Sequence, residues 1–377
     1  MKHNAVKSQG VYSLQEVEAF ARDWKRFQQN AAGHALVKDS PYTHDSYFHS
    51  YGYIGIHEEM LKDSVRTGTY HRAITQNKHL FHDRVVLDVG CGTGILSLFC
   101  VAAGARHVYA IECSNIIHLA REIVERNGAS DKVTFIHGKC EEVELPVSGV
   151  DIIVSEWMGY FLLYENMLES VLFCRDKWLR PGGLIFPDHA RLYVAAIEDA
   201  EYKCDKLDTW RDTYGFDFSI MRGYLLEEPL VDVVNEKTLN TTSCCVLSLD
   251  LNTCRIKDLD FSSEFMLVAQ RKDYVHALVF WFDVSFSACH IPMVLSTSPR
   301  EKYTHWKQTV FYLPDDLVID CGDRIKGMVA VRRNDRNPRD IDVKIHYHQI
   351  GTHQCTSDNM RTGRDHSIQN THFYRIR

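Results

Sequence analysis

The chain has 377 residues, of which 45% are hydrophobic and 25% charged, so it can bury one large core or two smaller ones, and two domains are expected. Its net charge of −7, without a block of Lys or Arg, argues against direct binding to nucleic acid but suits a basic protein substrate. The first ten residues are polar and the longest apolar stretch, around 94–105, is short, so no signal peptide or membrane segment is predicted.

Two helical regions are predicted before the first strand. Ser13 and Glu16 form a capping-box pattern, and apolar residues follow at helical spacing as far as Phe27, which indicates an accessory helix in an N-terminal extension, residues 1–40. A second helical region is predicted over residues 47–70. It carries a series of polar and sulfur-bearing side chains, namely Tyr47, Tyr51, His57, Met60, Asp63 and Arg66.

Residues 41–186 are predicted to form an α/β domain. Four apolar strands are predicted there, at 85–89, 107–111, 132–136 and 151–154, and a helix begins at Ile95. Strands that alternate with helices at this spacing indicate an open parallel sheet, and right-handed crossovers place its helices on both faces.

Residues 187–377 have a different pattern. Alternating strands, separated by short polar turns, predict an antiparallel β-barrel or sandwich, with strands at 246–251, 276–285, 325–331 and 341–346. An aromatic-rich, helical insertion at about 200–223 cannot bury its rings alone. A docking arm for a second subunit is the preferred interpretation, and a flap over its own barrel is the alternative.

One group near the end of the chain invites a metal interpretation. His346 and His348 lie on one face of a predicted strand, and His353 and Cys355 follow. The group lacks zinc-finger spacing, so a plain strand end is preferred and no metal is predicted. The twelve cysteines contain no C-x-x-C pair, which indicates reduced thiols in a cytosolic or nuclear protein.

A polar signal follows each of the four predicted parallel strands. In chain order the signals are Asp88 with Gly90, Gly92 and Gly94; Glu112; Cys140, Glu141 and Glu142; and Glu156. Ligands of open α/β sheets bind at this edge, and glycines let the backbone approach them closely. The glycine spacing is one residue short of the dinucleotide pattern, and Glu112 suits a ribose diol. An acidic site repels a pyrophosphate but suits a ribose ligand with a positive charge, such as S-adenosylmethionine.

Residues 155–165 form the most informative segment. Glu156 and Glu165 bracket an apolar, aromatic loop that contains no basic residue. Two carboxylates so placed could hold a guanidinium, whose planar fork pairs with carboxylates bidentately. A solvated hairpin with two surface acids is the alternative, and the segment alone does not decide between them.

Together these motifs resemble a type I protein arginine N-methyltransferase, over the range from about Tyr42 to the C-terminus. The resemblance is carried by Tyr47-Phe48-x-Ser50-Tyr51, His57-Glu58-x-Met60, the glycine motif at 86–94, the 155–165 segment and Tyr303-Thr304-His305-Trp306. It implies a Rossmann-like domain that binds S-adenosylmethionine, followed by an antiparallel β-barrel domain with an inserted helical dimerisation arm.

The resemblance also implies a role for each matching position. The methyl donor would contact His57, Arg66, Asp88, Gly90, Gly92, Glu112, Cys140 and Glu141. The catalytic group would be Glu156 and Glu165, which hold the guanidinium, with His305 and Asp63 as a supporting pair. The substrate pocket would be bordered by Tyr51, Met60, Met167 and Trp306. From the residues alone, Met60, Met167 and His305 would be interpreted as packing residues, and Tyr47 and Tyr51 could equally be packing residues. The chain departs from the family at His49, Cys91 and Cys140, where Asp, Ser and an aliphatic residue are usual.

The activity implied is methyl transfer to arginine, which gives mono- and asymmetric dimethylarginine in histones and glycine/arginine-rich RNA-binding proteins of the nucleus and cytoplasm. A homodimer is expected, with a heteromer or higher oligomer left open. A first rival function, an NAD-dependent oxidoreductase, is disfavoured by the glycine spacing and the acid pair. A second, a non-enzymatic subunit that scaffolds a catalytic homologue, is disfavoured because the acids and the His305-Trp306 pair are retained.

Overall fold

A five-stranded parallel sheet forms the first half of the fold, in a computed structural model that describes residues 11–24, 48–350 and 368–377. Its strand order is β3-β2-β1-β4-β5. The strands are β1 Val85–Val89, β2 His107–Glu112, β3 Val133–His137, β4 Val150–Val154 and β5 Leu179–Phe186. The four predicted strands are present to within a residue or two. The structure adds β5, whose Pro-Gly-Gly interruption hid it in the sequence.

The central strand places the glycine turn where a ligand is expected. β1 is buried along its whole length because it lies between β2 and β4, and four of its five residues are Val or Leu. The chain order reverses beside β1, so the turn that follows this strand opens into the crevice at the switch point of the sheet.

All but the first of the helices in this half of the fold cover the sheet and the edge that carries the glycine turn. In chain order they are α1 Leu14–Arg22, α2 Ile54–Lys62, α3 Ser64–Thr75, α4 Lys78–Phe81, α5 Ile95–Ala102, α6 Ile117–Arg126 and α7 Leu168–Trp178. The single helical region predicted over 47–70 is instead two helices, because Asp63 ends α2 and caps α3. None of the helices in the described ranges has the length and apolar character needed to cross a membrane.

Two antiparallel sheets form the second half of the fold. One has the order β7-β12-β10-β6-β8, with β11 paired to β10, and the other has the order β15-β14-β13-β9. Their strands are β6 His189–Ile197, β7 Leu230–Asp232, β8 Cys244–Asp250, β9 Phe261–Val268, β10 Asp273–Phe286, β11 Met293–Ser296, β12 Gln308–Ile319, β13 Arg324–Arg333, β14 Ile341–Ile350 and β15 Gln369–Ile376. The predicted fold class is confirmed, while the exact domain limits stay predictions.

The predicted arm is a helical excursion between β6 and β7. It consists of α8 Ala200–Lys203, a π-helical turn at Cys204–Asp208, a 3₁₀ turn at Thr209–Arg211 and α9 Met221–Glu227. Its tip is open to solvent, since Tyr214 is 98% exposed and Phe216 69%. Its root is fixed by the ion pair between Lys203 and Asp316, 2.5 Å long. A flap closed over its own barrel would hide the tip, so that alternative does not fit.

The N-terminal helix α1 packs across the sheet that contains β9 and β14. Its predicted capping box is formed by Ser13 and Glu16. At its start, the Glu264 carboxylate accepts hydrogen bonds from two backbone N–H groups, at 2.8 and 3.0 Å. At its end, the buried Lys344 ammonium donates to the backbone oxygens of Phe20 and Asp23. Each charge has the sign that the adjoining helix end favours. Burial lowers the pKa of Lys344 to about 8.

Five residues named in the sequence predictions lie outside the described residues, namely Phe27, Tyr42, Tyr47, His353 and Cys355. Of the group considered for a metal, His346 shares a 2.9 Å hydrogen bond with Thr371 on the neighbouring strand. Within the described ranges, no three His, Cys, Asp or Glu residues are placed to hold a metal ion.

We expect Gly327→Ala to lower the thermal unfolding midpoint. A Cβ at Gly327 would lie 2.2 Å from the Phe265 ring and 2.4 Å from the His346 carbonyl oxygen, and such overpacking costs about 1–3 kcal/mol. Gly55→Ala in α2 is the matched control, because no atom lies within 4 Å of the added methyl group. Equal midpoints for the two variants, measured by differential scanning calorimetry, would contradict the expectation.

Candidate active site

A cavity of about 790 Å³ opens at the carboxyl edge of the parallel sheet. The glycine turn forms one wall, with positive φ at Gly90 and Gly92 of 70° and 54°. At Gly90 this φ strains any other L-residue, and a Cβ there would displace the flexible end of Met167, whose Cε would lie 2.1 Å away. The size and the concave backbone suit a ligand about as large as a nucleoside derivative together with a side chain of a second ligand.

Glu112 is fixed at the cavity wall by backbone donors. Gly92 N donates to Oε2 at 2.9 Å, and Ser114 N donates to Oε1 at 2.7 Å. The carboxylate is 8% exposed and lies at the end of β2, as the sequence predicts. These two bonds orient both oxygens, so a ligand with two hydroxyl groups meets a prearranged pair of acceptors.

Asp88 lies near the end of β1, directly before the glycine turn. Its side chain is fully buried beneath the turn and is not part of the cavity wall. Ser97 Oγ donates to Oδ2 at 2.7 Å, and burial raises the pKa of Asp88 to about 7. Within the described residues, Asp88 Oδ1 has no hydrogen-bond partner, and the contact between Asp88 and the methyl donor stays a prediction.

Cys140 and Glu141 line the opposite side of the cavity, after β3. Cys140 is buried, and Glu141 Oε1 accepts a 2.7 Å hydrogen bond from Ser170 Oγ of α7. Sequence reasoning missed Ser170, because nothing in its local pattern distinguishes it from other helical serines. The contact shows that α7 orients the Glu141 carboxylate.

The turn before α2 brings Tyr51 to the cavity, α2 brings His57 and α3 brings Arg66. The His57 ring nitrogen lies 2.8 Å from the Tyr51 carbonyl oxygen. Arg66 Nε donates to Glu156 Oε2 at 2.8 Å, and both side chains are 8% exposed. The arginine expected at the methyl donor is thus bound to the first carboxylate of the 155–165 loop.

The 155–165 loop is buried, so the alternative of a solvated hairpin is wrong. Trp157, Phe161 and Leu162 are at most 2% exposed. Glu165 has a φ of 70°, a conformation that L-residues adopt only where surrounding contacts hold them. The loop therefore aims its two carboxylates by packing and backbone geometry together.

The two carboxylates have different partners. Tyr51 Oη donates to Glu165 Oε2 at 2.7 Å. Burial raises the pKa of Glu165, and the negative charge of Glu156 raises it further, while the Tyr51 hydrogen bond and the Arg339 charge lower it. Within the described residues, Glu156 Oε1 is buried and has no hydrogen-bond partner. The site thus contains a buried carboxylate oxygen that can accept a hydrogen bond from a ligand.

His305 and Asp63 form the expected pair. The backbone N and ring Nδ1 of His305 both lie within 2.9 Å of Asp63 Oδ2. Asp63 Oδ1 meanwhile accepts from the backbone N of Val65 and Arg66 at the start of α3. The histidine therefore ties the barrel domain to the junction of α2 and α3, and its hydrogen bonds to Asp63 hold the pKa of this carboxyl below its usual range, against the effect of burial.

Met60, Met167 and Trp306 border the cavity, as predicted for the substrate pocket. Trp306 is 3% exposed, and its Nε1 donates to the Met158 carbonyl oxygen at 2.8 Å. The methionines are partly buried rather than enclosed in the core. All of the predicted site residues except Asp88 and Asp63 lie on the cavity wall, and Asp63 reaches it through His305.

Two family models match the chain. A methyltransferase domain matches residues 86–183, and an arginine methyltransferase oligomerization subdomain matches residues 188–352. Among solved structures, a Trypanosoma brucei arginine methyltransferase 1 enzyme–prozyme heterotetrameric complex with S-adenosylhomocysteine is similar, at 43% identity and a TM-score of 0.81, over 87% of this chain and all of that one.

Curated relatives are more similar in sequence. Protein arginine N-methyltransferase 1 of Schizosaccharomyces pombe is 57% identical over 303 residues, which cover 80% of this chain and 89% of that protein. The Saccharomyces cerevisiae protein of the same name is 53% identical, over 80% and 87%. The predicted type I enzyme and its methyl donor, S-adenosylmethionine, are confirmed by these similarities. The chain therefore belongs to the protein arginine N-methyltransferase family.

Proposed function

We propose that this enzyme methylates arginine side chains of proteins to mono- and asymmetric dimethylarginine. The observation that carries the proposal is Glu156 Oε1, a buried carboxylate oxygen with no hydrogen-bond partner within the described residues. Burying such an atom costs free energy unless a ligand donates a hydrogen bond to it. A guanidinium supplies both the charge and the N–H donors that this oxygen lacks.

The cavity wall fits the methyl donor. S-adenosylmethionine supplies a methyl group bound to a positively charged sulfur. Gly90 and Gly92 would lie under the donor, and Glu112 would accept hydrogen bonds from its ribose hydroxyls. Glu141 and Cys140 would lie beside its adenine. Arg66 and His57 would hold its amino-acid end. Asp88 supports the glycine turn from below.

The two glutamates are proposed to offset the positive charge of the substrate guanidinium. A guanidinium is a poor nucleophile, because its positive charge is delocalised and its pKa is roughly 12 or more. Glu156 and Glu165 offset that charge and hold two of its nitrogens, so the third becomes more nucleophilic. Correct alignment of such reactants can contribute ~7–11 kcal/mol. Met60 and Met167 would limit the room around the reacting nitrogen and so determine which dimethyl isomer forms.

Glu165 is also the proposed proton acceptor. Its raised pKa makes it a stronger base than an exposed glutamate. Tyr51 occupies Oε2, so Oε1 is the atom proposed to accept from the substrate. His305 bonds to Asp63 and so is proposed to position the α2–α3 junction rather than to accept the proton.

Substrates are proposed to be flexible, cationic segments, such as glycine/arginine-rich stretches of RNA-binding proteins and histone tails. The net charge of −7 favours their approach to the site. A location in both nucleus and cytoplasm is proposed because such substrates occur in both, and imaging of a tagged chain would test it.

A homodimer is the proposed assembly, and a heteromer is the alternative. The chain carries an oligomerization subdomain, and its arm exposes Tyr214, Phe216 and Ile220. Three apolar side chains on one exposed tip favour burial against a second subunit.

Substitution of Glu165 tests the acidic site. Glu165→Gln should lower kcat roughly 10²–10⁴-fold, because the charge and the proton acceptor are both lost. Binding of S-adenosylmethionine, measured by calorimetry, should be unchanged. Glu142→Gln removes an exposed carboxylate nearby and should leave turnover intact. Retained turnover in Glu165→Gln would overturn the proposed roles of the two glutamates.

The products are tested by mass spectrometry of a glycine/arginine-rich peptide incubated with the enzyme and S-adenosylmethionine. Fragmentation should identify asymmetric dimethylarginine. A symmetric product would contradict the proposed role of Met60 and Met167. Absence of methylation, with donor binding intact, would instead favour a requirement for a partner subunit.

The arm is tested by Tyr214→Ser combined with Phe216→Ser. Removal of the two exposed rings should convert the dimer to a monomer in analytical ultracentrifugation. Ile291→Ser, at a residue that is 71% exposed outside the arm, is the control and should remain dimeric. A dimer that survives the paired substitution would contradict the proposed interface.

A further inference from the structure

We propose that Arg339, in the loop between β13 and β14, is a positioning residue that fixes the backbone of Glu165 and sets the charge of its carboxylate. The inference rests on the proposed function of Glu165. No motif in the sequence pointed to Arg339, because it lies in the barrel domain, 174 residues from Glu165.

The two residues share a reciprocal pair of hydrogen bonds. Glu165 N donates to the Arg339 carbonyl oxygen at 3.0 Å, and Arg339 Nη1 donates to the Glu165 carbonyl oxygen at 2.5 Å. Glu165 and the following Asn166 both have positive φ, at 70° and 57°. Because this conformation costs an L-residue roughly 1–2 kcal/mol, contacts from outside the loop must hold it.

The loop that carries Arg339 is closed by hydrogen bonds between its own residues. Asn334 Oδ1 accepts hydrogen bonds from the backbone N of Arg336 and Asn337, at 2.9 and 3.0 Å. Asn337 Nδ2 donates to Asp340 Oδ1 at 2.7 Å, and Asn334 N donates to the Asp340 carbonyl oxygen. A loop closed by its own side chains holds Arg339 in one place rather than following Glu165.

Arg339 also reaches the segment that supplies the other partner of Glu165. Its guanidinium lies 5.0 Å from the centroid of the Phe48 ring, a distance typical of a cation–π contact. Phe48 lies three residues before Tyr51, whose hydroxyl donates to Glu165 Oε2. Arg339 therefore contacts the backbone of Glu165 and the turn that leads to its side-chain donor.

The charge of Arg339 matters because the surroundings of Glu165 are unfavourable to an anion. Burial and the Glu156 carboxylate raise the pKa of Glu165, while Tyr51 and Arg339 lower it. Among the described residues, Tyr160 and Tyr164 of the same loop also lie near Glu165, Asp340 lies near Tyr164, and Arg66 is paired with Glu156. Loss of the Arg339 charge should therefore raise the pKa of Glu165 further. Because the ionised form binds the guanidinium, the acidic limb of the activity profile should then move to higher pH.

Two variants separate the charge from the hydrogen bond. Arg339→Gln keeps a donor but loses the charge, whereas Arg339→Lys keeps the charge but loses the planar fork. The readout is the pH profile of kcat/KM with a glycine/arginine-rich peptide, together with binding of S-adenosylmethionine by calorimetry. Arg324→Gln removes an exposed arginine of β13 and is the matched control.

We expect Arg339→Gln to move the acidic limb to higher pH and to lower kcat at neutral pH about tenfold or more, with donor binding unchanged. Arg339→Lys should keep the wild-type limb with a lower kcat. An unshifted limb in Arg339→Gln would overturn the inference. If Arg339→Gln does not fold, Arg339→Lys provides the test. A wild-type kcat in Arg339→Lys would overturn the inference, and so would a shift of its acidic limb, because this variant keeps the charge. An active Glu165→Gln would show that the proposed function itself had failed.

Discussion

The architecture of the site follows from one constraint, which is that two carboxylates must be held together away from water. The effective cost of burying an ionised carboxylate is several kcal/mol, so each needs partners from elsewhere in the chain. Arg66 on α3 pairs with Glu156, and Tyr51 donates to Glu165. The segment before the sheet, from Tyr51 to α3, therefore supports both acids, which would otherwise be buried with little compensation.

Residues of the barrel domain contact the part of the site that the first half of the fold provides. His305 forms a hydrogen bond with Asp63 at the α2–α3 junction, and Trp306 donates to the carbonyl oxygen of Met158 inside the 155–165 loop. Both contacts cross from the second half of the fold to the first. The cavity wall at the glycine turn and Glu112 thus comes from the first half of the fold, whereas the geometry around Glu156 and Glu165 depends on both halves.

Local patterns predicted much of this structure. The apolar strand before Gly90, the capping box of α1 and the acid at the end of β2 depend on neighbours in the sequence, and all are where periodicity places them. Long-range contacts were not accessible in the same way. The hydrogen bond from Ser97 to Asp88 joins two elements, and Arg339, which contacts Glu165, belongs to no motif. A pattern records which face a residue occupies, not what packs over that face.

The ion pair between Arg66 and Glu156 has a thermodynamic consequence. If Arg66 serves the methyl donor and Glu156 the acceptor, the two sites share one electrostatic contact and cannot be filled independently. Coupling between two binding sites is reciprocal, so each ligand changes the affinity of the other by the same factor. A single 2.8 Å contact would then make each ligand an effector of the other within one cavity.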